Sequence, residues 1–143
     1  MITQAMCTSF KVGLLNGDFD FGTGTTQTFK VALYTSAANL SASTTAYSAT
    51  NEASGAGYSA GGQALSVSVV PTSTGITAFL SFSDVTWSVT TLTARGALIY
   101  KADGVTNPAI AVLDFGEDKQ TNSGDFTINF PLADAANAII KIA

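Results

Sequence analysis

The stretch Thr93–Pro131, TARGALIYKADGVTNPAIAVLDFGEDKQTNSGDFTINFP, decides the fold. Its apolar runs, Ala97–Tyr100, Ala109–Phe115 and Phe126–Phe130, are separated by Asp103-Gly104 and by Asn122-Ser123-Gly124. Such clusters stop one extended segment and start the next, so the stretch reads as three consecutive antiparallel strands. In the first two runs apolar residues fall on both parities, Leu98 and Tyr100 against Ala97 and Ile99, and Ile110 and Val112 against Ala111 and Leu113. That is the pattern of strands covered on both faces. The third run alternates, with Phe126, Ile128 and Phe130 opposed to Thr127 and Asn129, which predicts one wet face.

Working outward, Thr28–Thr35 (TFKVALYT) sets Phe29, Val31 and Leu33 against Lys30, Ala32 and Tyr34. Gln63–Val70 sets Leu65, Val67 and Val69 against Ser66 and Ser68, and Pro71, lacking a ladder donor, is expected to end that strand. Ile76–Phe82 follows with Ile76, Ala78, Leu80 and Phe82 on one face, then Val85–Val89 with Val85, Trp87 and Val89 in phase. Ser83-Asp84 between them reads either as a tight hairpin or as a bulge in one long bent strand. A last strand is expected at Ala138–Ile142.

Gly17–Thr26 reads as a Gly/Asp/Thr loop. Ser36–Gly62 reads as a long excursion rich in Ala, Ser, Thr and Gly, with room for a short element around Thr44–Asn51. Near the start, Ile2, Met6, Phe10 and Leu14 recur every fourth residue. This predicts a helix over Thr3–Leu15, in an arm of residues 1–17, that ends at Asn16-Gly17 with a left-handed cap. The helix either covers one end of the sheet or docks on a partner.

Seven or eight short strands, with turn signals every 8–12 residues or so in the second half of the chain, predict an all-β protein. The expected fold is one antiparallel β-sandwich over residues 1–143, jelly-roll-like, with a short N-terminal helix. Strand order, which separates a jelly roll from an immunoglobulin-like sandwich, is left open. No helix-period segments lie between the strands, which excludes a parallel α/β sheet.

The totals narrow the functions. A chain of 143 residues is enough for one domain with a core of its own. Only 11% of residues are charged, so solubility rests largely on 20 Thr and 14 Ser. Six basic against ten acidic residues give a net charge of −4, and no window is basic. Nucleic acid is therefore not an expected partner, because phosphate binding needs clustered cations. No apolar run is long enough for a membrane-spanning helix, and the first residues lack the basic start and apolar core of a signal peptide. The single cysteine, Cys7, has no partner for an internal disulfide or a CxxC motif.

The absence of histidine rules out Ser-His-Asp and Cys-His catalysis. Acid–base work would fall to carboxylates, of which Asp18/Asp20 and Glu117/Asp118 are close in sequence, while Asp84, Asp114 and Asp125 stand alone. Solvated turn positions account for such residues equally well, and no catalytic residue is assigned. Asn16–Gly22 places oxygen side chains at alternate positions, a faint echo of a calcium loop. It lacks the downstream Glu, and Phe19 and Phe21 intervene. It reads as a turn with its two Phe rings tucked beneath the sheet, and no metal or cofactor is expected. Glycine-rich Ser54–Gly62 has no phosphate-loop spacing. Trp87, Tyr34, Tyr47, Tyr58 and Tyr100 could form a sugar-stacking platform, although the phase of Trp87 favours the core. Arg95, the only arginine, is expected to hold Asp84 or Asp114, or to reach a partner.

Five stretches together carry a resemblance: SFKVGLLNG (Ser9–Gly17), TFKVALYTS (Thr28–Ser36), TTAYSATNEASGAGYSAGG (Thr44–Gly62), TARGALIYK (Thr93–Lys101) and AIAVLDFGEDKQTNSGDFTINFP (Ala109–Pro131). Over nearly its whole length the chain resembles a family of small tailed-bacteriophage virion proteins, many of them capsid decoration, or cement, proteins. The resemblance implies a structural protein and not an enzyme, made in the host cytoplasm and carried on the capsid surface. Its partners would be the major capsid protein and further copies of itself in a dimer or trimer. A tail or head–tail adaptor component and a carbohydrate-binding surface module are the alternatives. On this reading Phe10 and Lys11 of the arm, Tyr47 and Tyr58 of the excursion, and Arg95 are the residues expected to meet a partner.

Overall fold

Ten strands and one helix make up the regular structure in the computed structural model, which describes residues 1–143. They are β1 (Ala5–Met6), α1 (Thr8–Asn16), β2 (Phe29–Tyr34), β3 (Gln63–Leu65), β4 (Val67–Thr74) and β5 (Thr77–Phe82), followed by β6 (Val85–Thr90), β7 (Thr93–Lys101), β8 (Ala109–Gln120), β9 (Gly124–Ile128) and β10 (Ile140–Ile142). The strands form a five-stranded sheet in the order β1-β8-β7-β2-β3, a three-stranded sheet β10-β5-β4 and a two-stranded ribbon β6-β9. Every pairing is antiparallel. One continuous apolar cluster joins all three, so the protein is an all-β sandwich with a short N-terminal helix.

The middle of the large sheet is buried on both faces, as the mixed parities of its strands require. Ala97, Leu98 and Ile99 of β7 and Ala109 and Ile110 of β8 are fully inaccessible. On β2 the alternation is deceptive, because Ala32 and Tyr34 are as buried as Val31 and Leu33. The Phe29 face meets the smaller sheet through Phe21, 4.5 Å from Phe29, and through Phe82 of β5. On the opposite face Lys30 pairs with Tyr100, and there the excursion 36–62 covers the sheet.

Several expectations change where backbone partners outrank periodicity. The helix starts at Thr8 and not at Thr3, because residues 2–6 find ladder partners: Ala5 and Met6 pair with Val112 and Ala111, and Ile2 bridges Leu40. Cys7 is the extended N-cap residue. Gln63–Val70 is split at Ser66, with β3 in the large sheet and β4 in the small one. Pro71 does not end β4; it lies in a bulge between Val69 and Thr72 on an edge strand, where no ladder donor is missed.

A two-residue turn, Gly75–Ile76, closes the β4–β5 hairpin, which leaves Ile76 exposed and outside the strand. Ser83-Asp84 is neither a hairpin nor a bulge within one strand, since the chain passes there from the β5 sheet to the β6 ribbon. A one-residue bulge after Trp87 turns Val89 outward at φ 52° while Trp87 stays in the core. The three consecutive strands of Thr93–Pro131 are present, but β9 pairs with β6 and not with β8. No helix or strand forms in 36–62. The excursion is pinned instead by the bridges Tyr34–Glu52, Ala46–Pro108 and Ala56–Thr91.

The helix ends as its sequence dictates. Gly17 adopts φ 79°, its N–H bonds Leu14 O, and the next N–H, of Asp18, bonds Gly13 O. A side chain at Gly17 would meet nothing within 4 Å, so Gly17→Ala isolates the cost of the left-handed backbone. We expect a loss of about 1 kcal/mol in urea unfolding. An unchanged midpoint would mean that the cap contributes nothing.

Candidate functional site

The five residues expected to meet a partner do not come together. Phe10 and Lys11 lie on α1, Tyr47 and Tyr58 lie in the excursion, and Arg95 lies on β7. Arg95 Nε donates to Asp114 Oδ1 at 3.0 Å across the β7–β8 pair, the first of the two roles expected for it. The Gly116 N–H and then the Arg95 guanidinium hold the Asp114 carboxyl below the usual range. Asp84 instead accepts the Phe130 N–H at 2.8 Å.

Tyr47 and Tyr58 converge on Glu52, which the sequence reading did not single out. Tyr47 donates its O–H to Glu52 Oε2 at 2.6 Å, and Tyr58 donates to Oε1 at 2.6 Å. The Gly61 N–H completes the set on Oε1 at 2.7 Å. Tyr58 oxygen also accepts the Leu33 N–H of β2, while Tyr100 of β7 donates to Gly61 O. Tyr34 donates to Ser48 O, and the Tyr47 ring stacks on Tyr100 at 4.8 Å. Burial raises the pKa of all four phenols, and the Glu52 charge adds to it, so they remain neutral donors.

Glu52 is thereby committed to the fold. Two phenols and a backbone N–H take up most of its acceptor capacity, and the network ties residues 47–61 of the excursion to β2 and β7. One signal in the sequence marks it: Glu52 is the only charged residue between Lys30 and Asp84. A lone charge in so neutral a stretch needs dedicated partners if it is not fully solvated. The aromatic set suggested as a sugar platform is covered rather than displayed. Tyr34, Tyr100 and Trp87 are at most 3% accessible, and Tyr47 and Tyr58 are partly covered.

Around Asn16–Gly22 the two Phe rings point inward. Phe21 is buried, and Phe19 lies edge-on to Phe10 at 4.8 Å. Asp20 Oδ1 accepts the Gly22 N–H in a local turn. No three Asp, Glu or Cys side chains converge anywhere in the chain.

The remaining feature is an open apolar groove. It lies between α1, the loop of residues 19–23 and the face of the β10-β5-β4 sheet, with a volume of about 510 Å³. Phe10 and Leu14 line it from the helix, and Phe79 and Ile140 from the sheet. A second recess of about 330 Å³ shares Leu14, Lys141 and Ile142 with it and extends past Met6, Lys11 and Leu15. Leu15 is 91% exposed and Ile142 55%. Phe10, fully buried, acts on this surface only as its floor, whereas Lys11 beside it is exposed. Neither Lys11 nor Lys141 has a carboxylate partner; the ion pairs of the chain are Arg95–Asp114 and Lys119–Glu117. No family model, curated protein or solved structure matches the chain.

Proposed function

We propose that this protein is a structural component of a tailed-phage particle that binds the outer surface of the capsid shell and stabilises it, as cement or decoration proteins do. Its partners are the major capsid protein and further copies of itself, and it has no catalytic, cofactor or nucleic-acid role. Its place is the virion surface, after synthesis in the host cytoplasm. The observation that carries the reading is the combination of a committed interior with one unsatisfied apolar groove. The lone carboxylate of the excursion and its tyrosines are consumed in holding the fold, while Leu15 and Ile142 stand open to solvent. The resemblance carried by Ser9–Gly17, Thr28–Ser36, Thr44–Gly62, Thr93–Lys101 and Ala109–Pro131 supports the same reading.

Adhesion of this kind needs little from each copy. A modest contact repeated over a lattice becomes tight through effective concentration, so a chain without charged clusters is adequate to the task. The test is to mix the purified protein with shells that lack it and to image them. Ordered density on the capsid lattice is the expected result. Density confined to the tail or the head–tail junction would move the protein to the adaptor class, and binding to insoluble polysaccharide alone would make it a carbohydrate module. Either result overturns the decoration reading.

A further inference from the structure

We propose that the groove between α1 and β10 is the shell-binding face, and that its occupant is an apolar segment of the major capsid protein flanked by carboxylates. The proposal rests on the decoration reading and deepens it by naming the surface and the chemistry of what fills it.

The apolar part follows from where the groove lies. Its floor is continuous with the core through Phe10, Leu80 and Ile140, and its rim keeps Leu15 and Ile142 in water. A partner's aliphatic or aromatic side chains would remove both from water at once, and this contact is non-directional and proportional to the area covered.

The charged part follows from a survey of the lysines. The protein is acidic overall, with a net charge of −4. Of its six cations, Arg95 and Lys119 are paired with carboxylates, and Lys30, on β2, lines neither recess. Lys101 lies over the Phe19 ring and donates to Asp18 O. Lys11 and Lys141 both line the recess at one end of the groove, and the only internal bond of either is that of Lys141 to Ala136 O. An acidic partner segment complements Lys11 and Lys141 and gains steering from them, with Asp20 the one carboxylate on the groove lining and Asp134 close enough to Lys141 to feel its charge. Two lysines are too few for nucleic acid.

The experiment measures binding to shells lacking the protein, for the wild type and three variants whose folding is first checked by thermal melts. Leu15→Glu/Ile142→Glu places charge in the apolar rim. Lys11→Glu/Lys141→Glu reverses the rim charges. Val89→Glu changes an exposed apolar residue that lines neither recess. Each groove variant is expected to lose at least about tenfold in affinity, and Val89→Glu to bind as the wild type does. Wild-type binding should also weaken as salt is raised.

Groove variants that occupy the lattice as fully as the wild type overturn this inference and leave the decoration reading intact. A wild type that fails to bind shells removes the reading itself, so the two failures are distinguishable. Self-association of the wild type that is lost in the groove variants, with shell binding unchanged, also overturns the inference by making the groove a contact between copies.

Discussion

Glu52→Ala is expected to destabilise the fold by about 3–5 kcal/mol, measured by denaturant unfolding. The substitution leaves the Tyr47 and Tyr58 hydroxyls and the Gly61 N–H without their acceptor. Hydrogen bonds to a charged group contribute roughly 1.5–3 kcal/mol each. The total falls short of three such terms because water reaches a half-buried site and can take up the freed donors. Glu52→Gln, which keeps one acceptor oxygen and the shape but not the charge, should cost about half as much. A double-mutant cycle with Tyr58→Phe should give a coupling energy of about 1–2 kcal/mol, since the hydroxyl and the carboxylate act on each other directly.

The effect should also be local. With its clasp gone, the second half of the excursion is held by backbone bridges and by the bonds of Tyr34 and Tyr100 to Ser48 O and Gly61 O, and it should be cut by protease before the strands are. A loss below about 0.5 kcal/mol for Glu52→Ala would show that the network is incidental to the fold.

The excursion is also where sequence reading stops being informative. The apolar runs 97–100 and 109–115 were legible as strands because their side chains are apolar on both parities and Gly and Asp punctuate them, whereas the exposed extension of β8 over 116–120 carries no such signal. The Gly17 cap was legible because only its residue type fits a left-handed terminus without strain. Misreadings occurred where the decision belonged to distant backbone. Residues 2–6 carry a helical apolar spacing, yet the free edge of β8 offers Ala5 and Met6 hydrogen bonds that outweigh it. Pro71 was read as a stop because its position on an edge strand is a property of the assembled sheet. The switches between sheets at Ser66 and at Ser83-Asp84 have no local signature, because a strand's residues do not record which neighbour it pairs with.

For the candidate site the division is similar. Phe10 and Lys11 were marked as an arm, and they do border the groove, but its far wall comes from Val70, Phe79 and Ile140, about 60 to 130 residues away along the chain. Tyr47 and Tyr58 were singled out for their rings, whereas their hydroxyls determine their role. Only the carboxylate between them explains why both are there, and its meaning depends on a charge-poor stretch being folded against two strands.

Above pH 10 the protein should unfold cooperatively, and the tyrosines should ionise in that step and not before it. All four phenols are raised above their ordinary value of 10.0, first by burial and then by the Glu52 charge. A group whose folded pKa is raised holds its proton in the native state where the unfolded chain has released it. Its contribution is therefore fully present below the unfolded value and falls as pH rises from there toward the folded value. Cys7 begins earlier, because burial pushes its thiol from 9.0 up to about 11. Because four phenols act in the same direction, the loss of stability steepens as pH rises above 10. Near-ultraviolet phenolate absorbance and far-ultraviolet circular dichroism, followed together, should change at one midpoint. Phenolate appearing gradually from pH 10 with the sheets intact would mean that the hydroxyls are open to solvent, and that the excursion is not held closed over β2 and β7.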